Sequence, residues 1–388
     1  MMKMLKTAWK YKKKIIDTME TYEKKKKSMI WIMPTAFITL FAILFLLWIL
    51  DSNGKIREYK DAKGNVIPGS ISEKTIIEIN GAKNGLFING KDINNPVLLL
   101  ISSGPGTDDY FLTERYPDMH IDDLFTVVYW DYRGMGIAYD SNINPDVITM
   151  DLLLEDLKEI TDYCKKRFNK DKIYLMGFSG GTQIGIKAAK EHPEDYYAYI
   201  GMAQVVTDSS ERDMLMYDFM KEEFIKKNDA KNLKKLEENV DFSNGEIHCK
   251  DWRSFVMLVH EAGGGTIRGE SEFKGIDIPI MLSHCYTVTE KINYIRGLKM
   301  YDKTMLEKEM TNIDFRKDLN EFEIPIFFIS GEYDYNCPWP LAEDYANVLT
   351  APDKGFYKIK DAAHSPLWEN TEDSFDVFKE IKEKTYER

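Results

Sequence analysis

Four cysteines in 388 residues are too few and too scattered for a disulfide framework or a zinc site. Cys164, Cys249, Cys285 and Cys337 form no C-x-x-C pair. They are expected as isolated small apolar side chains, with one bridged pair open outside the cell. No Gly-Lys-Ser/Thr follows a glycine-rich turn, which excludes a P-loop. Histidine pairs and carboxylate clusters at metal spacing are missing too, so neither a metal nor another cofactor is expected. Basic surplus is confined to residues 1–28, where ten lysines face Asp17, Glu20 and Glu23 for a net of +7. With the whole chain at −12, the remainder stands at −19. A surface that acidic excludes nucleic acid as the expected partner.

Charge itself disappears over residues 28–50, SMIWIMPTAFITLFAILFLLWIL. As a helix, residues 30–50 would span roughly 30 Å, the thickness of a bilayer core. The run is longer than a signal-peptide core, and neither an A-x-A-like site nor a lipobox cysteine follows it. The expectation is one transmembrane signal anchor over 29–50. Residues 1–28 then form a basic cytoplasmic tail facing anionic lipid, with everything after the anchor outside.

Residues 51–72 are polar with Gly and Pro and read as a linker. Strand and helix patterns then alternate over 73–206 and again over 321–388. Buried strands are predicted at residues 96–101 (PVLLLI), 125–130 (FTVVYW), 173–176 (IYLM) and 324–330 (IPIFFIS). An amphipathic helix is predicted over about residues 148–168, with Leu153, Leu157, Ile160 and Cys164 on one stripe. Such alternation implies an α/β fold, a mostly parallel sheet with helices on both faces. Residues 207–320 break the rhythm. They are rich in Lys, Glu, Met and aromatics, show no strong strand, and read as a helical cap with a mobile loop at Gly263-Gly264-Gly265.

The chemistry centres on residues 171–185, DKIYLMGFSGGTQIG. A strand runs into Gly177-Phe178-Ser179-Gly180-Gly181 and a helix with small residues follows. That is the G-x-S-x-G pattern in the strand-to-helix setting it requires. The turn must hold the Ser179 hydroxyl above the sheet edge, and a Cβ at Gly177 or Gly181 would crowd the backbone. A serine hydroxyl is nearly inert at neutral pH and needs a histidine, itself oriented by an acid. In such sheets the three occur in chain order Ser, acid, His. Asp334 lies directly past a late buried strand, with Glu332 as its alternative. Of six histidines, His120, His192, His248, His260 and His284 precede the acid, which leaves His364. Asp361 reads as a loop residue. Amides of Gly180 and of Gly104, the latter after an early strand, are the expected oxyanion donors. Asp131 and Arg133 are expected as a structural ion pair holding their loop, since an arginine cannot act as base.

These segments resemble the α/β-hydrolase superfamily, and within it the proline-iminopeptidase-like group. The resemblance runs from about Ile76 to the C-terminus. The family's His-Gly-Gly-Pro-Gly segment appears as Ser102-Ser103-Gly104-Pro105-Gly106, and its Asp-Gln-Arg-Gly-x-Gly segment as residues 131–136, DYRGMG. Its elbow and its acid and base segments are similar to those around Ser179, Asp334 and His364. Ser102 and Ser103 replace the first His-Gly, and Gly180 replaces the residue after the nucleophile. In the peptidases, cap glutamates hold the substrate's free amine; Glu261, Glu270 and Glu272 are the candidates here by location. The expected function is a membrane-anchored serine hydrolase acting on an ester or amide of a small molecule or short peptide. A carboxylesterase or lipid-active enzyme, and an inactive hydrolase-fold binding protein, are the alternatives.

Overall fold

The computed structural model describes the chain except residues 105–108, 244 and 387–388, and except the side chains of residues 3–5, 8, 25–36 and 307. It forms two units, Met1–Asn53 and Gly54–Arg388. The first is one helix, Met2–Asp51, and from Phe37 to Leu50 its large apolar side chains are mostly exposed. The front of the charge-free run, through residue 36, lies outside the described side chains. Among the described residues no helix is long and apolar enough to cross a membrane.

The second unit is built on an eight-stranded sheet of β1 (Ile71–Ile79), β2 (Ala82–Gly90), β3 (Val97–Ile101), β4 (Thr126–Asp131), β5 (Ile173–Phe178), β6 (Tyr196–Met202), β9 (Ile326–Gly331) and β10 (Lys354–Ile359). A separate hairpin is formed by β7 (Val240–Ser243) and β8 (Glu246–Cys249). The order across the sheet is β1-β2-β4-β3-β5-β6-β9-β10. β2 pairs antiparallel with β1 and β4, and the pairings from β4 across to β10 are parallel. β1 starts inside the stretch expected as a linker. It is an edge strand of the sheet, partly buried along most of its length, with Ile76 and Glu78 exposed.

Strands buried on both faces need no alternation, which is why β3 reads as an unbroken apolar run. Leu99 and Ile101 face one layer with Leu157, Ile160 and Cys164 of the helix Met150–Phe168. Leu98 and Leu100 face the other, with Phe378 and Ile381 of the C-terminal helix Thr371–Thr385. All four cysteines are free.

The stretch between β6 and β9 is mostly helical, with Ser210–Lys226, Ala230–Asn239, Trp252–Ala262 and Val288–Tyr301 its longest helices. The β7–β8 hairpin inside it departs from the all-helical expectation. Its strands are only four residues each, below the length at which alternation can be told from a helix.

Candidate active site

Ser179 sits where β5 ends and the helix Gly181–Glu191 begins. Its φ of 51° is left-handed, a conformation that costs a non-glycine residue about 1–3 kcal/mol and persists only where neighbours enforce it. Here its amide donates to Met202 O (2.9 Å) and its carbonyl accepts from Thr182 N (2.9 Å) and the Thr182 hydroxyl. The flanking glycines follow from close approach. A Cβ at Gly177 would lie 2.6 Å from Thr182 Cα, and one at Gly181 2.4 Å from Ser102 O. The glycine directly after the serine has the same origin: a Cβ on Gly180 would stand 2.6 Å from Ser103 O. The loop after β3 presses on the elbow more closely than any side chain there would allow.

The structure brings Ser179, His364 and Asp334 together from three loops at the carboxyl ends of parallel strands. His364 Nε2 lies 2.8 Å from Ser179 Oγ, and His364 Nδ1 lies 3.0 Å from Asp334 Oδ1. Asp334 is fully buried, and His364 is nearly so. Asp334 Oδ1 also accepts the Cys337 amide at 2.9 Å, which fixes the carboxylate's rotation. Nothing in the sequence singles out Cys337. Burial, with the Asp334 carboxylate nearby, holds its thiol protonated. Glu332, the alternative acid, is exposed and accepts the Asp361 amide (3.4 Å).

Around the elbow, the Ser103 amide donates to Asp109 Oδ2 (2.5 Å) and the Gly181 amide to Ser103 O (3.2 Å). Gly104 O accepts from the Tyr132 hydroxyl at 2.8 Å. Asp109, missed in the sequence, thus anchors the loop that carries Ser102 and Ser103. Pro105 and Gly106 of that segment lie outside the described residues.

One pairing expectation is corrected. Arg133 does not hold Asp131; its guanidinium forks onto Asp156 of the helix Met150–Phe168 (2.5 and 2.6 Å), with both side chains buried. Asp131 Oδ2 accepts the Ile137 amide (3.1 Å) instead. The two-residue spacing sends the side chains of Asp131 and Arg133 to separate partners, which sequence proximity does not reveal. Of the three cap glutamates, Glu261 is exposed and Glu270 is committed to Arg115 in a bidentate pair (2.8 and 2.9 Å). Glu272 is half-buried, and burial raises its carboxyl.

The triple glycine expected to be mobile is instead pinned to the site. Gly264 O accepts the Tyr335 amide (3.3 Å) and Gly265 O the His364 amide (3.2 Å). A Cβ on Gly265 would lie 2.3 Å from the ring of His260. His260 is itself buried, and burial with His364 nearby pushes its pKa down to about 4. Among the described residues one cluster, His192, Glu194 and Asp195, gathers ligand atoms within 4.8 Å. It lies at the start of β6, the far end of the sheet from Ser179, and Asp195 is already held by Lys165 (2.6 Å) and Lys158 (3.3 Å).

The serine aminopeptidase S33 family matches residues 122–284, a stretch that contains Ser179 and ends before Asp334. A probable aminopeptidase of Bacillus subtilis strain 168, YbaC, is 26% identical over 303 residues, covering 76% of this chain and 92% of that protein. Among solved structures, a proline iminopeptidase-related protein of Thermus thermophilus superposes with a TM-score of 0.52 at 17% identity, over 81% of this chain and 98% of that one. The proline iminopeptidase of Mycobacterium smegmatis superposes at 0.53 and 12% identity, over 80% of this chain and 98% of that one. At these identities the solved structures share the fold. Sheet order, the family match over residues 122–284 and the relatives together support a hydrolase of α/β-hydrolase fold that is similar to the proline-iminopeptidase-like group.

Proposed function

We propose that the protein is a membrane-tethered serine hydrolase in which Ser179, His364 and Asp334 cleave an ester or amide through an acyl-enzyme. The observation that carries this is the unbroken relay from Ser179 Oγ to His364 Nε2 (2.8 Å) and from His364 Nδ1 to Asp334 (3.0 Å). Ser179 Oγ attacks the carbonyl carbon while Nε2 takes its proton, and Asp334 stabilises the imidazolium that results. The imidazolium then protonates the leaving amine or alcohol. Water, deprotonated by His364, releases the acid and restores the serine. Ser103 and Gly181 amides are spoken for, so the amides assigned to the oxyanion are those of Gly104 and Gly180.

A serine-directed fluorophosphonate tests the reading: it should label the full chain and fail on Ser179→Ala. An unlabelled wild-type protein would leave the inactive binding protein as the better account. Proline-naphthylamide against short p-nitrophenyl esters then separates peptidase from esterase, since the relay serves both. With Glu270 committed to Arg115, a free substrate amine needs another acceptor, which favours testing the esters first.

The tether is the charge-free run of residues 28–50, with lysines before it and the hydrolase unit outside the cell. Its support is the exposed apolar surface from Phe37 to Leu50 on a continuous helix. Full-length protein that leaves the membrane fraction in alkaline carbonate would refute the anchor.

A further inference from the structure

Glu369 closes the short helix Pro366–Glu369 that follows His364, and three backbone amides converge on its carboxylate. Oε1 accepts Ala363 N (3.0 Å) and Ser365 N (2.9 Å), the residues on either side of His364. Oε2 accepts Arg268 N (2.6 Å), which belongs to the cap. The bond to Ser365 alone has an ordinary reading, since Ser365 is the helix N-cap and a glutamate in the first turn often reaches back to it. Helix capping does not account for the other two, because Ala363 and Arg268 lie outside that helix. Arg268 adds two more ties. Its guanidinium stacks 3.8 Å over the ring of Tyr333, next to Asp334, and pairs with Asp361 on the base loop.

We infer that Glu369 is a positioning residue for His364, and that through it the cap segment 264–268 sets the base loop in register with the acid loop. The inference rests on the triad reading above and adds to it a residue that never touches substrate. His364 has no strand or helix of its own; its backbone is held by the Gly265 carbonyl from the cap and by the amides of its two neighbours on Glu369. Burial, with a smaller push from Asp334, raises the Glu369 carboxyl to about 7 against the pull of the three amides. Above that pH the N–H groups surround an anion, and charge-assisted bonds of this kind are the stronger sort.

The test uses the full chain with Glu369→Ala and Glu369→Gln. In the alanine variant, labelling by the fluorophosphonate and kcat on an ester should fall by about 30- to 100-fold, the scale of a misplaced base, with KM within about threefold. Amide hydrogen exchange should rise in residues 361–366 and 264–268 while the β3 and β5 amides stay protected. Glutamine keeps a carbonyl for Ala363 and Ser365 but turns an NH2 toward Arg268. It should therefore recover to within about tenfold of wild type in kcat, with exchange raised only in 264–268. Alanine-variant labelling within about threefold of wild type, with the base loop still protected, would overturn the inference. So would a loss of activity matched by an equal loss of folded protein in the thermal melt. If wild type itself fails to label, the hydrolase reading falls, and the exchange data still decide whether Glu369 holds the loop.

Discussion

Residues 210–262 and 267–306 belong to the same insertion, yet they bury their apolar side chains against different partners. The first stretch keeps its own cluster, with Met216, Met220, Phe224, Leu236, Phe255 and Leu258 packed on one another. The second gives its side chains to the sheet. Ile267, Ile280, Tyr286 and Tyr294 join Phe87 and Leu98 on one face, and Met300, Tyr301 and Leu306 join Leu99 on the other. Tyr301 also donates to Arg133 O (2.7 Å), and Lys74 of β1 reaches Glu290 (2.7 Å). A satellite cluster can open without exposing the main core, whereas the second stretch cannot leave without taking the core apart. By its packing, the second stretch is part of the hydrolase body, and the first stretch is a satellite to it.

The sharpest contrast is between chemistry and stability. Asp334→Asn should cut turnover by about 10⁴-fold, as loss of the orienting acid does in serine hydrolases, and leave the melting temperature within a degree or two. Turnover within tenfold of wild type would reassign the acid. Within the insertion, Tyr286→Ala should cost about 3–5 kcal/mol of global stability, because Tyr286 packs edge-on to Phe87 (5.5 Å) in the shared core. Leu258→Ala, at roughly 2–5 kcal/mol, should instead raise hydrogen exchange across 210–262 while sheet amides keep their protection. Equal spread of both effects over the whole unit would erase the distinction between the stretches.

Acid should find the same seam, more gently. His260 lies on the helix Trp252–Ala262 with its pKa lowered to about 4, against about 6.5 in an unfolded chain. A base with a depressed folded pKa contributes stability that is complete above pH 6.5 and is lost as pH falls through 4. The first stretch should therefore open between about pH 6.5 and 4, ahead of the sheet, by up to roughly 3 kcal/mol. Exchange followed against pH would show it, and His260→Phe should remove the step. An acid transition unmoved by that substitution would place the cause elsewhere.

The parts legible in the sequence are those where one residue type has one job. The apolar run of β3 can only be buried, the glycines at 177 and 181 can only be a tight turn, and chain order left one histidine for one role. What stayed hidden involves partners that sequence spacing does not connect. Arg133 finds Asp156 through the sheet, on the buried side of a helix. Glu369 binds backbone amides, which every residue but proline carries, so its neighbours give no sign of it. The Gly263–Gly265 run looked loose because glycine permits motion, and here it serves close approach. The insertion's split into two clusters rests on which face each apolar residue meets, and its short elements carry too few turns to show that.

The hydrogen bonds that the Tyr335 and His364 amides donate to the Gly264 and Gly265 carbonyls have a consequence for anyone exchanging parts between relatives. The insertion of residues 207–320 is not a detachable module. A chimera that imported residues 207–320 from another hydrolase would dock them on turns shaped for a different guest. To keep its reacting groups aligned it would have to import residues 333–337 and 361–369 as well.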